Sequence, residues 1–328
     1  MLAERLQRRR EQPRHRLGDQ DLPLQGLAQR LDPAGRVDRL ADHREVEPPR
    51  PADIAEEDLA VMQRDAAAGL RHVEYRCFVP PYLIEGGFSE YVTTLTSAAA
   101  KFSMERAGEF TARIILSIPR INVAAAARWQ EIKNWLLANQ NKAEARYLVG
   151  IDFCQTEEGF PPEEKAWFFS EIEQFNRDHP QLAQGVVYHV GESFDHMRID
   201  SACRWVFQAS QLGAHRLGHA IALGIEPMVL LGREVLETVT ERLAHLRWLE
   251  ANAAWLKENS DDYDQRAIQR EICKLQNTSG EQLIRHYYDT ASLDKVRLLQ
   301  NAVLCELGRR GVIVEVCPTS NFLIGRIE

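Results

Sequence analysis

Gly185-Val186-Val187-Tyr188-His189-Val190-Gly191-Glu192 is a short apolar run that ends in groups able to do chemistry. It is too short for a helix and rich in β-branched residues, so it reads as a buried strand. The arrangement recurs twice. Leu212-Gly213-Ala214-His215 leads into Arg216-Leu217-Gly218-His219, and residues 311–316 lead into Cys317-Pro318-Thr319-Ser320-Asn321. In a parallel α/β barrel the working side chains stand at the carboxyl ends of several strands. Three scattered motifs thereby become one expected site.

Outward from these motifs the chain alternates between two patterns. Asp53 is expected to cap a first helix, with Glu56 at its third position and Gly69 as its stop. A strand is expected over 71–79, a helix over 88–107 and a strand over 111–118. A helix over 123–139 and a strand over 146–153 follow. Pro161-Pro162 opens a helix to about Arg177, before the strand at 185–190. A helix over 199–212 precedes a short strand at 214–217, and the last strand covers 311–316. Strand–helix alternation implies parallel pairing with helices outside. The expected fold is α/β: an incomplete (β/α)8 TIM-type barrel of about six strands, where a closed one has eight. Residues 227–310 break the rhythm. They are charged and helix-rich, with Trp248, Trp255 and Leu256 at helical spacing and a polar break at 259–263. They read as a helical insertion before the last strand, serving packing alone, or as a lid or oligomer contact.

Composition bounds the function. With 328 residues and 45% hydrophobic residues the chain can bury a large core. No apolar run approaches the ~18 residues of a membrane helix, and no secretory leader is visible. Six cysteines stand far apart without a C-x-x-C pair, which argues against a thiolate metal site. They read as reduced, buried thiols of a cytoplasmic protein. Residues 1–50 hold 11 Arg, no Lys and 9 acidic residues, and the rest of the chain is strongly acidic. An acidic body argues against nucleic acid as the main partner. The first 50 residues also lack aromatic residues, Ile and Thr, so they cannot bury enough surface to offset their ordering entropy. Two explanations stand side by side: a disordered tail, or an out-of-frame translation. The barrel is expected over 51–328.

The site chemistry follows from residue types. A neutral imidazole such as His189 is a good zinc ligand, and a carboxylate three residues on, Glu192, can handle protons on metal-bound water. Gly191 allows a tight turn between them. His219 follows another strand. Thr319, Ser320 and Asn321 are expected to shape their loop.

Together, His189-Val190-Gly191-Glu192, Arg216-Leu217-Gly218-His219-Ala220 and Cys317-Pro318-Thr319-Ser320-Asn321 resemble the adenosine deaminase family of metal-dependent hydrolases. That family has H-A-G-E, R-[IV]-G-H-G and a C-P-x-S-N-like stretch in the same order. Val149-Gly150-Ile151-Asp152 is similar to its G-x-D-L strand, and Val73-Glu74-Tyr75-Arg76 to its second strand. The resemblance covers about residues 52–328 and implies hydrolytic deamination of adenosine, or a related adenine nucleoside or nucleotide, to the inosine form and ammonia. It implies one Zn2+ held by His189, proton transfer by Glu192, and a hydroxide oriented by His219. The long insertion is similar to a large-insert branch found among bacterial antiphage deaminases.

The family's H-x-H pair is missing, and its last-strand aspartates have no counterpart before Glu328. Asp261-Asp262 falls too early in the order. The resemblance therefore implies a fragment, strands two to seven, inactive alone. Two rival readings remain: a non-catalytic barrel relative acting as a scaffold or assembly subunit, and another metal-dependent amidohydrolase. The expected partner is a small purine nucleoside or nucleotide, not a membrane; an oligomer is left open. One test addresses the tail. Limited trypsin treatment is expected to cut at Arg14 and Arg30 while sparing residues beyond 51; protection of those two arginines equal to the core would refute the assignment.

Overall fold

The computed structural model describes residues 51–79, 87–194, 196–259 and 263–316. The tail 1–50, Asp261-Asp262 and the Cys317–Asn321 motif lie outside them. The chain runs α1 (Pro51–Ala67), β1 (His72–Phe78), α2 (Phe88–Glu105), β2 (Thr111–Ile118), α3 (Asn122–Ala138), β3 (Leu148–Phe153) and α4 (Ala166–Asp178). It continues through β4 (Gly185–Val190), α5 (Ile199–Leu212), β5 (Arg216–His219) and a short α6 (Ile221–Gly224). Then come β6 (Glu234–Thr238), α7 (Val239–Ala251), α8 (Ala253–Asn259), α9 (Gln265–Leu275), β7 (Leu283–Tyr287), α10 (Thr290–Arg310) and β8 (Ile313–Glu315).

Six strands form one parallel sheet in the order β1-β2-β3-β4-β5-β8. They curl into a half-barrel, the incomplete TIM-type α/β fold expected from the alternation. The middle strands are paired on both edges, which is why β4 could be apolar throughout. The outer layer is aromatic. Trp129 of α3 is fully buried, with Phe168 and Phe175 of α4 edge-on at 5.5 Å each. Phe153 of β3 meets Phe168 at 4.8 Å, which ties strand to helix.

The concave face carries charged side chains beside branched aliphatics such as Ile115, Val187 and Ile313. Arg216 pairs with Glu74 and, at 2.9 Å, with Glu315. Arg76 pairs with Glu315 and lies 3.5 Å from Asp152. Asp152 in turn meets His189 at 2.8 Å. One ionic chain thus runs from β5 through β8, β1 and β3 to β4, so strands of different sequence distance are held in one arc.

Several local expectations shift. Asp53, expected to cap the first helix, lies inside α1 (Pro51–Ala67). A 3-10 turn at Pro162–Lys165 precedes α4, where a continuous helix was expected. Strand β5 runs two residues further than expected, which makes His219 its last residue. Cys273 and Cys305 are exposed, unlike the buried thiols expected. Inside 227–310, β6 and β7 form an antiparallel pair that helical patterning hid. Their alternation is present, but three helices separate the two strands in sequence. Helix α10 packs on α5 and leads directly into β8. Among the described residues no helix is long and apolar enough to cross a membrane.

Trp129→Ala is expected to cost about 3–5 kcal/mol, the usual range for deleting a buried large aromatic, read from the denaturant midpoint. Trp129→Phe should lose clearly less. Equal losses would mean that the aromatic layer does not depend on indole volume.

Candidate active site

His189, Glu192 and His219, singled out in sequence, meet at the carboxyl ends of β4 and β5. Their placement begins with Asp152, which is wholly buried on β3. Its Oδ1 lies 2.8 Å from Nδ1 of His189. A neutral imidazole donates Nδ1–H to such a carboxylate, and Nε2 then keeps the lone pair. His189 pairs in register with Gly218 of β5. A Cβ at 218 would lie 2.9 Å from Cγ and Cδ2 of the His189 ring. The ring therefore lies across bare backbone, and only glycine leaves it room.

Two turns aim the remaining groups. Gly191 has φ +69, and a Cβ there would meet Cγ2 of Val206 at 2.7 Å. This turn brings Glu192 back over the strand ends, as the motif suggested. On β5, His219 (φ +67) and Ala220 (φ +47) are both in the left-handed region. Non-glycine residues there cost of order 1–3 kcal/mol each and persist only when the surroundings hold them. The holding bonds are Ala220 N–H to Val190 O at 3.0 Å and Ala222 N–H to Gly191 O at 2.9 Å. The strained turn is thus stitched to the Glu192 turn.

The result is a compact acid–base group. His219 Nε2 is 3.3 Å from Glu192 Oε1, and the rings of His189 and His219 are 5.0 Å apart, centre to centre. Oε1 of Glu192 is buried and has no hydrogen-bond partner. Burial pushes the Glu192 carboxyl above its ordinary range; His219 opposes the shift and Glu157 adds to it. A carboxyl raised in this way can exchange a proton nearer neutrality than an exposed one.

Three residues of this site were not assigned from sequence. Besides Asp152, they are Arg120 and Glu157. Arg120 is 2% exposed and donates from Nη2 to the carbonyls of His189 (2.5 Å) and Phe153 (3.2 Å). Its Nε reaches the carbonyls of Cys154 (3.1 Å) and Gln155 (3.3 Å). Glu157 accepts from the backbone N–H groups of Gly191 and Glu192. Both sit in loops just past strands, where no periodicity marks them. Their position after a buried strand is the one available signal.

The expected zinc site is not complete. Among the described residues no three His, Cys, Asp or Glu side chains come together to hold a metal ion. Asp152 spends Oδ1 on His189 and turns Oδ2 toward Arg76, while Glu192 and His219 face each other. The described residues do not fit the ion. What their arrangement supports is proton transfer. A cavity of about 190 Å³ lies between α5, α7, α9 and α10, lined by Arg198, Arg242 and Leu299 among others, and none of the three site residues borders it.

What fold and site define is a half-barrel with an acid–base pair at its strand ends. No protein-family model matches the chain, and no curated protein matches it. Several solved structures are similar in shape, among them two hydrolases. One is an amidohydrolase from Burkholderia ambifaria with bound zinc: TM-score 0.41, 18% identity, covering 84% of this chain and 67% of that one. The other is an adenine deaminase from Arthrobacter aurescens: TM-score 0.38, 16% identity, covering 80% of this chain and 81% of that one. Likenesses this loose carry no argument about the reaction.

The raised Glu192 carboxyl has a consequence for stability. Below about pH 4.3, the ordinary glutamate value, both folded and unfolded chains hold the proton. As pH rises from there through the higher folded value, the unfolded chain ionises first and stability is lost. Glu192→Gln removes that loss. The melting temperature of Glu192→Gln minus that of the unaltered chain should therefore increase between about pH 4 and pH 7. A difference that stays flat with pH would contradict the shift.

Proposed function

We propose that the intact protein is a hydrolytic deaminase acting on adenosine or a related adenine nucleoside or nucleotide, and that this chain carries its proton-handling centre. The observation that supports this most is the buried Glu192 Oε1, which has no hydrogen bond but lies 3.3 Å from His219 Nε2, beside the His189 ring. The ordered motifs that resemble the adenosine deaminase family supply the substrate class. In the proposed reaction, water adds to the ring carbon that bears the amino group. Glu192 in its acid form gives a proton to the neighbouring ring nitrogen. The resulting carboxylate takes the proton released by the water and passes it to the departing amine. Ammonia leaves as the carbon–oxygen bond becomes a carbonyl, and the hydroxyl proton returns to Glu192, which restores its acid form. His219 orients the water and stabilises its developing negative charge. Raising a carboxyl toward neutrality suits it to both halves of this exchange. Zinc belongs to the reading through the resemblance, with His189 as its ligand; the further ligands it needs are not among the described residues, and no step depends on it.

A second reading, the non-catalytic scaffold, is favoured by that missing ligand set. Ammonia release separates the two. The intact protein should release ammonia from adenosine, and Glu192→Gln should slow it by about 10²–10⁴-fold. This chain alone is expected to release none. An intact protein silent on adenosine, its monophosphate and adenine would leave the scaffold reading standing.

A further inference from the structure

The segment that carries Glu192 is gripped by buried charges of opposite sign. Before it, Arg120 takes the carbonyl of His189 at 2.5 Å. After it, Glu157 takes two successive amides. Its Oε2 accepts from Gly191 N–H at 2.7 Å and its Oε1 from Glu192 N–H at 2.8 Å, with Ser193 N–H at 3.4 Å. Glu157 is 3% exposed. We propose that Glu157 is a positioning residue of the site: its carboxylate fixes the Gly191–Glu192 backbone so that the Glu192 side chain faces His219. The inference rests on the proposed deaminase function only in calling the site catalytic.

The left-handed turn at Gly191 takes residues 191–193 out of the β4–β5 ladder, which ends at Val190 paired with His219. Their amides need another acceptor, because a buried N–H left without one is costly. A neutral acceptor would satisfy one amide. A carboxylate satisfies two at once, with the shorter, stronger bonds of an ionised acceptor. A charge at this depth is expensive unless it is well bonded, so its use at this turn has to be offset by geometry. That geometry is the backbone of the residue whose side chain meets His219. Burial disfavours the charged form of Glu192 most, and Glu157 adds to that effect.

The test uses the full chain, labelled with 15N, as Glu157→Gln and Glu157→Ala. Glutamine keeps the volume but offers one acceptor where two are needed, which guards against a collapsed alanine variant. At one fixed neutral pH, the ring-nitrogen resonances of His219 should move in both variants toward the positions they take in Glu192→Gln. Amide exchange at Gly191 and Glu192 should quicken by about tenfold or more, as expected for losing a bond to a charged acceptor, while amides of β2 and β3 stay slow. A merely structural glutamate would loosen neighbouring strands alike and leave the His219 signals in place; either result overturns the proposal. Should the His219 and amide changes appear while the intact protein releases no ammonia, the positioning role stands and the deaminase reading falls.

Discussion

The contact between Asp152 and His189 joins the two parts of this molecule. On one side it closes the ionic chain of the concave face, through Arg76, Glu315, Arg216 and Glu74. On the other it fixes the ring against which the acid–base pair is built. Asp152 has no exposed surface, and a buried carboxylate holds its charge only with partners. That requirement makes the strand order matter for chemistry. If β1, β3 and β4 did not lie in one arc, Arg76 and His189 could not both reach the same carboxylate.

Backbone geometry carries the rest of the site. Gly191, Gly218, His219 and Ala220 do connected things: one turn returns Glu192, one bare backbone seats the His189 ring, and two left-handed residues swing His219 inward. Cross-bonds between the turns hold the strain in place. The three side chains are therefore held in alignment by the fold itself.

The insertion is anchored by a second set of buried charges. Asp200, in the first turn of α5, meets Arg198 and Arg242 at 3.2 Å each and His245 at 3.4 Å. Glu237 of β6 accepts from Ser201 Oγ at 2.6 Å and from Arg198 N–H at 3.2 Å. Burial, with the charge of Asp200 added, pushes the Glu237 carboxyl up to about 7. The β6–β7 unit is thus bonded to the helix that follows the Glu192 loop, through groups that sequence periodicity treats as surface charge.

Local pattern by itself determined the element types outside residues 227–310 and the class of fold. Apolar runs of strand length, helical spacing between them and polar groups at their ends specified a parallel half-barrel and pointed to His189, Glu192 and His219. These signals are short-range, so they survive in a linear text. Tertiary structure alone decided the rest. The β6–β7 pair needs partners brought together across three helices. The charged lining of the barrel looked like ordinary strand alternation until Glu74, Arg76, Asp152, Arg216 and Glu315 faced one another. Arg120 and Glu157 sit in aperiodic loops, and their importance comes from the backbone groups they reach, 69 and 34 residues away for the carbonyl of His189 and the amide of Gly191. Hydrogen bonds of that span depend on where the chain returns in space, and no local pattern encodes that.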